Sequence, residues 1–206
     1  MAKNSGILTT VADAFSEVAQ TVNSPRPYVE IGRLVRACRL LSPLLSSLGV
    51  FKFAEKEFSA KVDDLAEAEK SVHTLESLLH SDIRKNCEKD SNSHSRNLVR
   101  VKRSVDMLKI MFEQILARGG NSIVGPVSTA YKQVFAPYHG WLIRTGVSAA
   151  MITLPTKAQL LRNLNEDEAT ANVQMQKYVT ASASVLQYID KLFRSRCSGN
   201  ELLGMV

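Results

Sequence analysis

A chain of 206 residues, 45% hydrophobic and 22% charged, carries enough apolar material to bury a core as one globular domain over 1–206, whereas two domains would each be small. Its formal charge of +6 favours an anionic partner, nucleic acid or an acidic membrane surface, without choosing between them. The longest run poor in charged or strongly polar residues is about VSAAMITLP, too short for a bilayer span, and MAKNSG lacks the apolar core of a signal peptide. A soluble intracellular protein is expected.

The periodicity is helical throughout, so the expected class is all-α. TTVADAFSEVAQTV puts Val11, Phe15, Val18 and Val22 on one stripe behind Thr10 as N-cap, and NSPRP ends that helix. A second helix is expected over 29–48, through Ile31, Leu34, Val35, Cys38, Leu41, Leu45 and Leu48, with a kink at Pro43. A third covers 51–71 and a shorter one 75–86. After the polar loop EKDSNSH, a helix over 95–118 is stopped by Gly119 and Gly120. Further helices are expected over 126–151, bent near Pro137, over 156–164 and over 167–196. Three cysteines, Cys38, Cys87 and Cys197, are odd in number and widely spaced, which fits reduced thiols and neither a disulfide framework nor a zinc site. The short connections favour one bundle.

A turn of 100° per residue shows which polar side chains share apolar faces. In the third helix, Ala54, Phe58, Val62 and Leu65 form one arc with Lys61 between them and Glu57 at its edge; the plain reading is a Glu57–Lys61 surface pair. In the helix over 95–118, Val101, Val105, Leu108, Phe112 and Ile115 face the core, and Lys102, Asp106, Lys109 and Glu113 face away. Arg96 and Arg100 share the azimuth of Met107 and Met111 and therefore border the core. In the helix over 126–151, Phe135, His139, Ile143 and Val147 follow at steps of four, which makes His139 either a satisfied core histidine or a ligand group. Lys61, Arg96 and Arg100 bordering a core cost desolvation unless an anion compensates, and one acid, Glu57, is too little for three cations. Guanidinium forks and a lysine point charge suit phosphate, and the adjoining apolar surface suits a phospholipid headgroup better than a nucleic acid backbone.

FKFAEKEFSAKVDDL, SHSRNLVRVKRSVDMLKIMFEQIL, YKQVFAPYHGWLIR and LPTKAQLLRNLNEDEA closely resemble the glycolipid transfer protein superfamily, and within it the plant ceramide-1-phosphate transfer proteins of the accelerated-cell-death type. The resemblance spans nearly the whole chain and is weakest over the first 25 or so residues. It implies a two-layer all-helical sandwich enclosing a lipid-chain pocket, for which Phe58, Leu108, Phe112, Ile143 and Val147 are the expected lining. It also implies that Lys61, Arg96 and Arg100 hold the headgroup phosphate and that His139 bonds the ceramide amide carbonyl. Where sugar-binding members carry a stacking tryptophan this chain has Arg100, and its only tryptophan is Trp141. The family aspartate that accepts from the amide N–H aligns with Glu57, which keeps the carboxylate one methylene further out.

The function so implied is intermembrane transfer of a phosphorylated sphingolipid by a cytoplasmic monomer transiently bound to anionic membranes, with no cofactor and no metal. Trp141, opposite His139 in azimuth, is either an interfacial anchor or a packing residue. A lipid-responsive regulator would use the same ligands. A nucleic-acid reading lacks a long basic stripe. An enzyme reading lacks a nucleophile spaced to His139, a glycine-rich phosphate loop and a metal set.

Overall fold

The helical periodicity is realised as ten α-helices among residues 6–49 and 52–196, the residues that this computed structural model describes. They are α1 Ile7–Val22, α2 Ile31–Arg39, α3 Ser42–Ser47, α4 Lys52–Glu69, α5 Leu75–Arg84, α6 His94–Arg118, α7 Val124–Val134, α8 Trp141–Ala150, α9 Lys157–Asn163 and α10 Glu168–Arg196. Short 3-10 turns at Ala136–Tyr138 and Met151–Thr153 flank α8. Extended pairing among the described residues is limited to two single bridges, Glu30 with Thr74 and Ser122 with Thr156. The all-helical class is therefore as expected.

Helix α6 is the hub, packed against α4, α5, α7 and α10, while α10 also lies along α1 and α2 joins α1 to α4. Aromatic rings fix the meeting of α1, α6 and α10. Tyr178 takes Phe15 and Phe112 edge-on at centroid distances of 4.9 and 5.4 Å, and its hydroxyl donates to the Val105 carbonyl at 3.2 Å. Such edge-to-face pairs add to the large apolar area that the rings bury. Complete burial pushes the Tyr178 phenol well above its ordinary pKa. The Cys38 thiol, in the same core, is pushed up to about 12, so it is an inert apolar side chain. Cys197 lies outside the described residues, as does Phe51 at the start of the third expected helix.

Several boundaries differ from expectation, each for a local reason. Helix α1 starts at Ile7 behind Gly6, because Leu8 extends the apolar stripe into the core; Thr10 lies inside the helix and donates its hydroxyl to the Gly6 carbonyl at 3.1 Å. The expected 29–48 helix is two helices. Pro43 lies in the first turn of α3, where its missing N–H costs little, and the chain turns at Leu40 and Leu41. The expected 126–151 helix is broken more deeply: α7 ends at Val134, Pro137 lies in a 3-10 turn, and the chain is extended at His139 and Gly140 before α8. Lys102, Asp106, Lys109 and Glu113 do not face away from the protein. All four are half-buried, Lys102, Asp106 and Lys109 beside α10, with Lys102 paired to Asp190 at 2.9 Å and Lys109 to Glu113 at 3.1 Å. Ala54, assigned to the apolar arc of α4, is exposed, whereas Phe58, Val62 and Leu65 are buried.

No helix among the described residues is long and apolar enough to cross a membrane. Helix α8 is the exception to the packing rule, because none of its ten residues is buried and its main helical contact is with the turn that follows it.

Candidate functional site

The first turn of α6 is pinned from two sides. The side chain of Ser93 caps it by accepting from the Arg96 N–H at 3.1 Å. Asp82 of α5, itself 2% exposed, accepts from both the N–H and the hydroxyl of Ser95, at 2.8 and 2.7 Å. A carboxylate there also complements the positive end of the helix. Asp64 of α4 bonds the His94 ring at 2.9 Å, which ties α4 to the start of α6 one helical turn beyond Lys61. These contacts set the position of the arginines that follow.

Arg96 is 7% exposed and Arg100 half-buried, in agreement with a place at the border of the core. The Arg100 Nη1 donates to the Ser91 carbonyl at 2.7 Å and to Asn97 Oδ1 at 3.0 Å, which orients its fork. A third arginine completes the row. Arg103 is also 7% exposed, and its guanidinium lies over the Tyr138 ring with Cζ 3.7 Å from the centroid. Burial, and then the charges of Arg100 and Arg103, lower the Arg96 pKa below its ordinary value. Burial likewise lowers Arg103, against the opposing influence of Tyr138. Arg96, Arg100 and Arg103 thus feel one another as like charges, which is unfavourable for the protein alone and favourable for an anion. The signal for Arg103 was present in the sequence, since positions i, i+4 and i+7 share one helix face.

On α4, Glu57 and Lys61 stand 3.8 Å apart, the glutamate side chain 54% exposed and the lysine 26%. The plain reading of this pair as a loose i,i+4 contact describes its geometry. Neither side chain is spent in a tight ion pair, and both remain accessible.

His139 does not sit on a helical stripe. Held in extended backbone after the 3-10 turn, it is half-buried, with Nδ1 2.9 Å from the Tyr131 hydroxyl. Phe135 stacks on the imidazole at 5.8 Å and 22°, and Tyr131 lies against it at 5.7 Å and 45°. Burial first, and the Arg103 charge second, lower the His139 pKa and keep the ring neutral. Tyr131 lies one step of four before Phe135 and so on the stripe drawn through His139, a signal present in the sequence; Tyr138 was not legible, because only the break in the helix turns it toward Arg103.

Of the expected chain-lining residues, Phe58, Leu108 and Phe112 are buried core residues and Val147 is half-buried. Ile143 is a correction: it is 53% exposed, because α8 starts anew at Trp141 and does not continue the face of α7. Trp141 is 72% exposed, Leu142 68% and Ile152 83%, which rules out packing as the role of Trp141 in this structure. Among the described residues no cluster of histidine, cysteine and acidic side chains is arranged to hold a metal.

The arginine row of α6, two of its members buried, runs up to His139 on an all-helical body and concentrates positive charge at the edge of the core. The chain belongs to the glycolipid transfer protein (GLTP) family, whose model matches residues 29–166. It is 49% identical over 194 residues to accelerated cell death 11 of Arabidopsis thaliana, covering 93% of this chain and 94% of that protein. The crystal structure of a point mutant of Arabidopsis ACD11 complexed with C12 ceramide-1-phosphate superposes with a TM-score of 0.92 at 47% identity, covering 96% of this chain and 98% of the other. The apo-form of mouse ceramide-1-phosphate transfer protein shares the fold, with a TM-score of 0.83 at 22% identity over 97% of this chain and 99% of that one. Members of this family transfer lipids and are not enzymes, and the fold is the expected glycolipid-transfer sandwich.

Proposed function

We propose that the chain acts as a single unit that moves a phosphorylated sphingolipid, ceramide-1-phosphate in class, between membranes. The observation that carries this reading is the row of three arginines, two of them buried, that ends beside the neutral His139. The similarity to ACD11, crystallised with ceramide-1-phosphate, supports the same ligand class. Arg96 and Arg100 from α6 and Lys61 from α4 hold the phosphate through charge-assisted bonds. An aromatic platform for a sugar is missing at Arg100, since the only tryptophan, Trp141, stands exposed on α8. Glu57 accepts from the amide N–H, and His139 donates to the amide carbonyl.

The aliphatic chains enter among Phe58, Leu108, Phe112 and Val147, which must part to receive them. A ceramide phosphate with roughly thirty methylenes, at about 0.8 kcal/mol each, costs over about 20 kcal/mol to expose fully to water. A protein interior replaces the bilayer with comparable apolar surroundings, so the transfer needs no covalent step. Trp141, Leu142, Ile143 and Ile152 form the apolar surface that dips into the membrane interface, with Arg144 exposed on the same helix to meet anionic headgroups. The protein works as a monomer from the aqueous cytoplasmic side, peripheral to the membrane for the duration of exchange.

Transfer of labelled ceramide-1-phosphate between vesicles tests the assignment. It should far exceed transfer of galactosylceramide, and equal rates or the reverse order overturn the headgroup reading. Saturable binding without transfer would instead make the protein a lipid-responsive regulator.

A further inference from the structure

A neutral imidazole carries one N–H and one bare nitrogen, and only the N–H tautomer aimed at a carbonyl is useful to an amide ligand. The partner of the other nitrogen decides which tautomer is present. Here that partner is the Tyr131 hydroxyl, 2.9 Å from Nδ1, on a side chain only 6% exposed. A phenolic O–H is a stronger donor than an imidazole N–H, and an imidazole nitrogen is a stronger acceptor than a phenolic oxygen. The favoured arrangement is therefore O–H donating to bare Nδ1. Burial keeps the Tyr131 hydroxyl protonated by raising its pKa, with the Arg144 charge acting weakly the other way. The Phe135 and Tyr131 rings on the imidazole restrict its rotation, so the bond direction is fixed as well as its polarity.

We infer that Tyr131 is a positioning residue that donates to Nδ1 of His139 and holds the ring as its Nε2–H tautomer, making His139 a dedicated donor to a lipid amide carbonyl. The second half of this inference rests on the amide role of His139 proposed above, and the first half does not. Residue 131 thereby sets the selectivity of the site for acylated sphingoid bases over lipids that lack the carbonyl.

Nitrogen-15 spectra of the ligand-free protein at neutral pH read the tautomer directly. The expected result is a bare Nδ1 and a protonated Nε2 in the wild type, with a mixed population in Tyr131→Phe. A wild-type ring protonated at Nδ1, or an unchanged tautomer population in a folded Tyr131→Phe protein, overturns the assignment whatever His139 does to lipid. Should Tyr131→Phe fail to fold, the wild-type spectrum alone decides. Binding isotherms then use phosphatidylcholine vesicles containing ceramide-1-phosphate or its N-alkyl analogue, in which a methylene replaces the carbonyl. Tyr131→Phe should weaken ceramide-1-phosphate binding about threefold to tenfold, the range for one hydrogen bond, and leave the analogue unaffected. It should add nothing in a His139→Ala background. Equal losses for both lipids, or the full loss persisting without His139, overturn the positioning role. If His139→Ala binds ceramide-1-phosphate like wild type, the amide role of His139 falls instead, and the spectra still settle the tautomer.

Discussion

Helices α6 and α8 are both built with apolar residues at helical spacing, yet they meet opposite fates. In α6, Val101, Val105, Leu108, Phe112 and Ile115 are each 3% exposed or less, whereas α8 buries none of its ten residues. The difference is one of neighbours. Four helices surround α6, while α8 is separated from α7 by a 3-10 turn and extended backbone and packs mainly on the turn after it. An apolar face already filled by protein is core; an apolar face left open on an otherwise folded chain is available to something outside it. Cations follow the same contrast, with Arg96 and Arg103 buried on α6 and Arg144 exposed on α8.

The contrast is broken most severely in the core. Phe112→Ala removes a ring packed edge-on to Tyr178 at the junction of three helices and should cost about 3 to 5 kcal/mol of stability. Chemical denaturation measures this, and a loss under about 1 kcal/mol would mean that the region has no fixed packing to lose. The next largest effect separates binding from folding on α6 itself. Arg100→Leu should weaken ceramide-1-phosphate binding by about 1.5 to 3 kcal/mol, as expected for a charge-assisted bond, while the melting temperature holds or rises because a like charge beside Arg96 is gone. Unchanged affinity in a vesicle-binding isotherm would leave Arg100 a structural residue tied to Ser91 and Asn97.

Helix α8 should behave in the reverse sense. Trp141→Ala should leave stability within about 0.5 kcal/mol, since the side chain is 72% exposed. It should nevertheless reduce partitioning onto anionic vesicles by about 1 to 2 kcal/mol, read by co-sedimentation. A Trp141→Ala protein that melts early and binds vesicles normally would place the tryptophan in the folded body. The smallest change sharpens the edge of the α6 site. Glu57→Gln should lower affinity for ceramide-1-phosphate by about 1 kcal/mol through loss of a charged acceptor, and Glu57→Asp should raise it by shortening the reach to the amide. If Glu57→Gln binds like wild type, the carboxylate serves Lys61 alone, in keeping with their 3.8 Å separation.

Periodicity alone determined the helical class, because an amphipathic helix is a local pattern and α1, α6 and α10 have no local competitor. It also placed Arg96 and Arg100 at the edge of the core, since azimuth on an unbroken helix follows from residue number. The same logic would have reached Arg103. It failed where the helix was not continuous: the steps of four from Phe135 to Val147 put His139 and Ile143 on one stripe, but Pro137 and Gly140 interrupt it. Phe135 still meets His139, through the 3-10 turn, and Ile143 is carried out to solvent. Family resemblance assigned roles to Lys61, Glu57 and His139, but not the contacts that hold them. The first turn of α6 is held by residues distant in sequence, Asp82 to Ser95 and Asp64 to His94, and His139 by Tyr131 across the break between α7 and α8. Only the tertiary structure decided that α8 stays open while α6 closes, because burial depends on which other surfaces arrive, and an apolar pattern records the need for a partner without recording whether the chain supplies one.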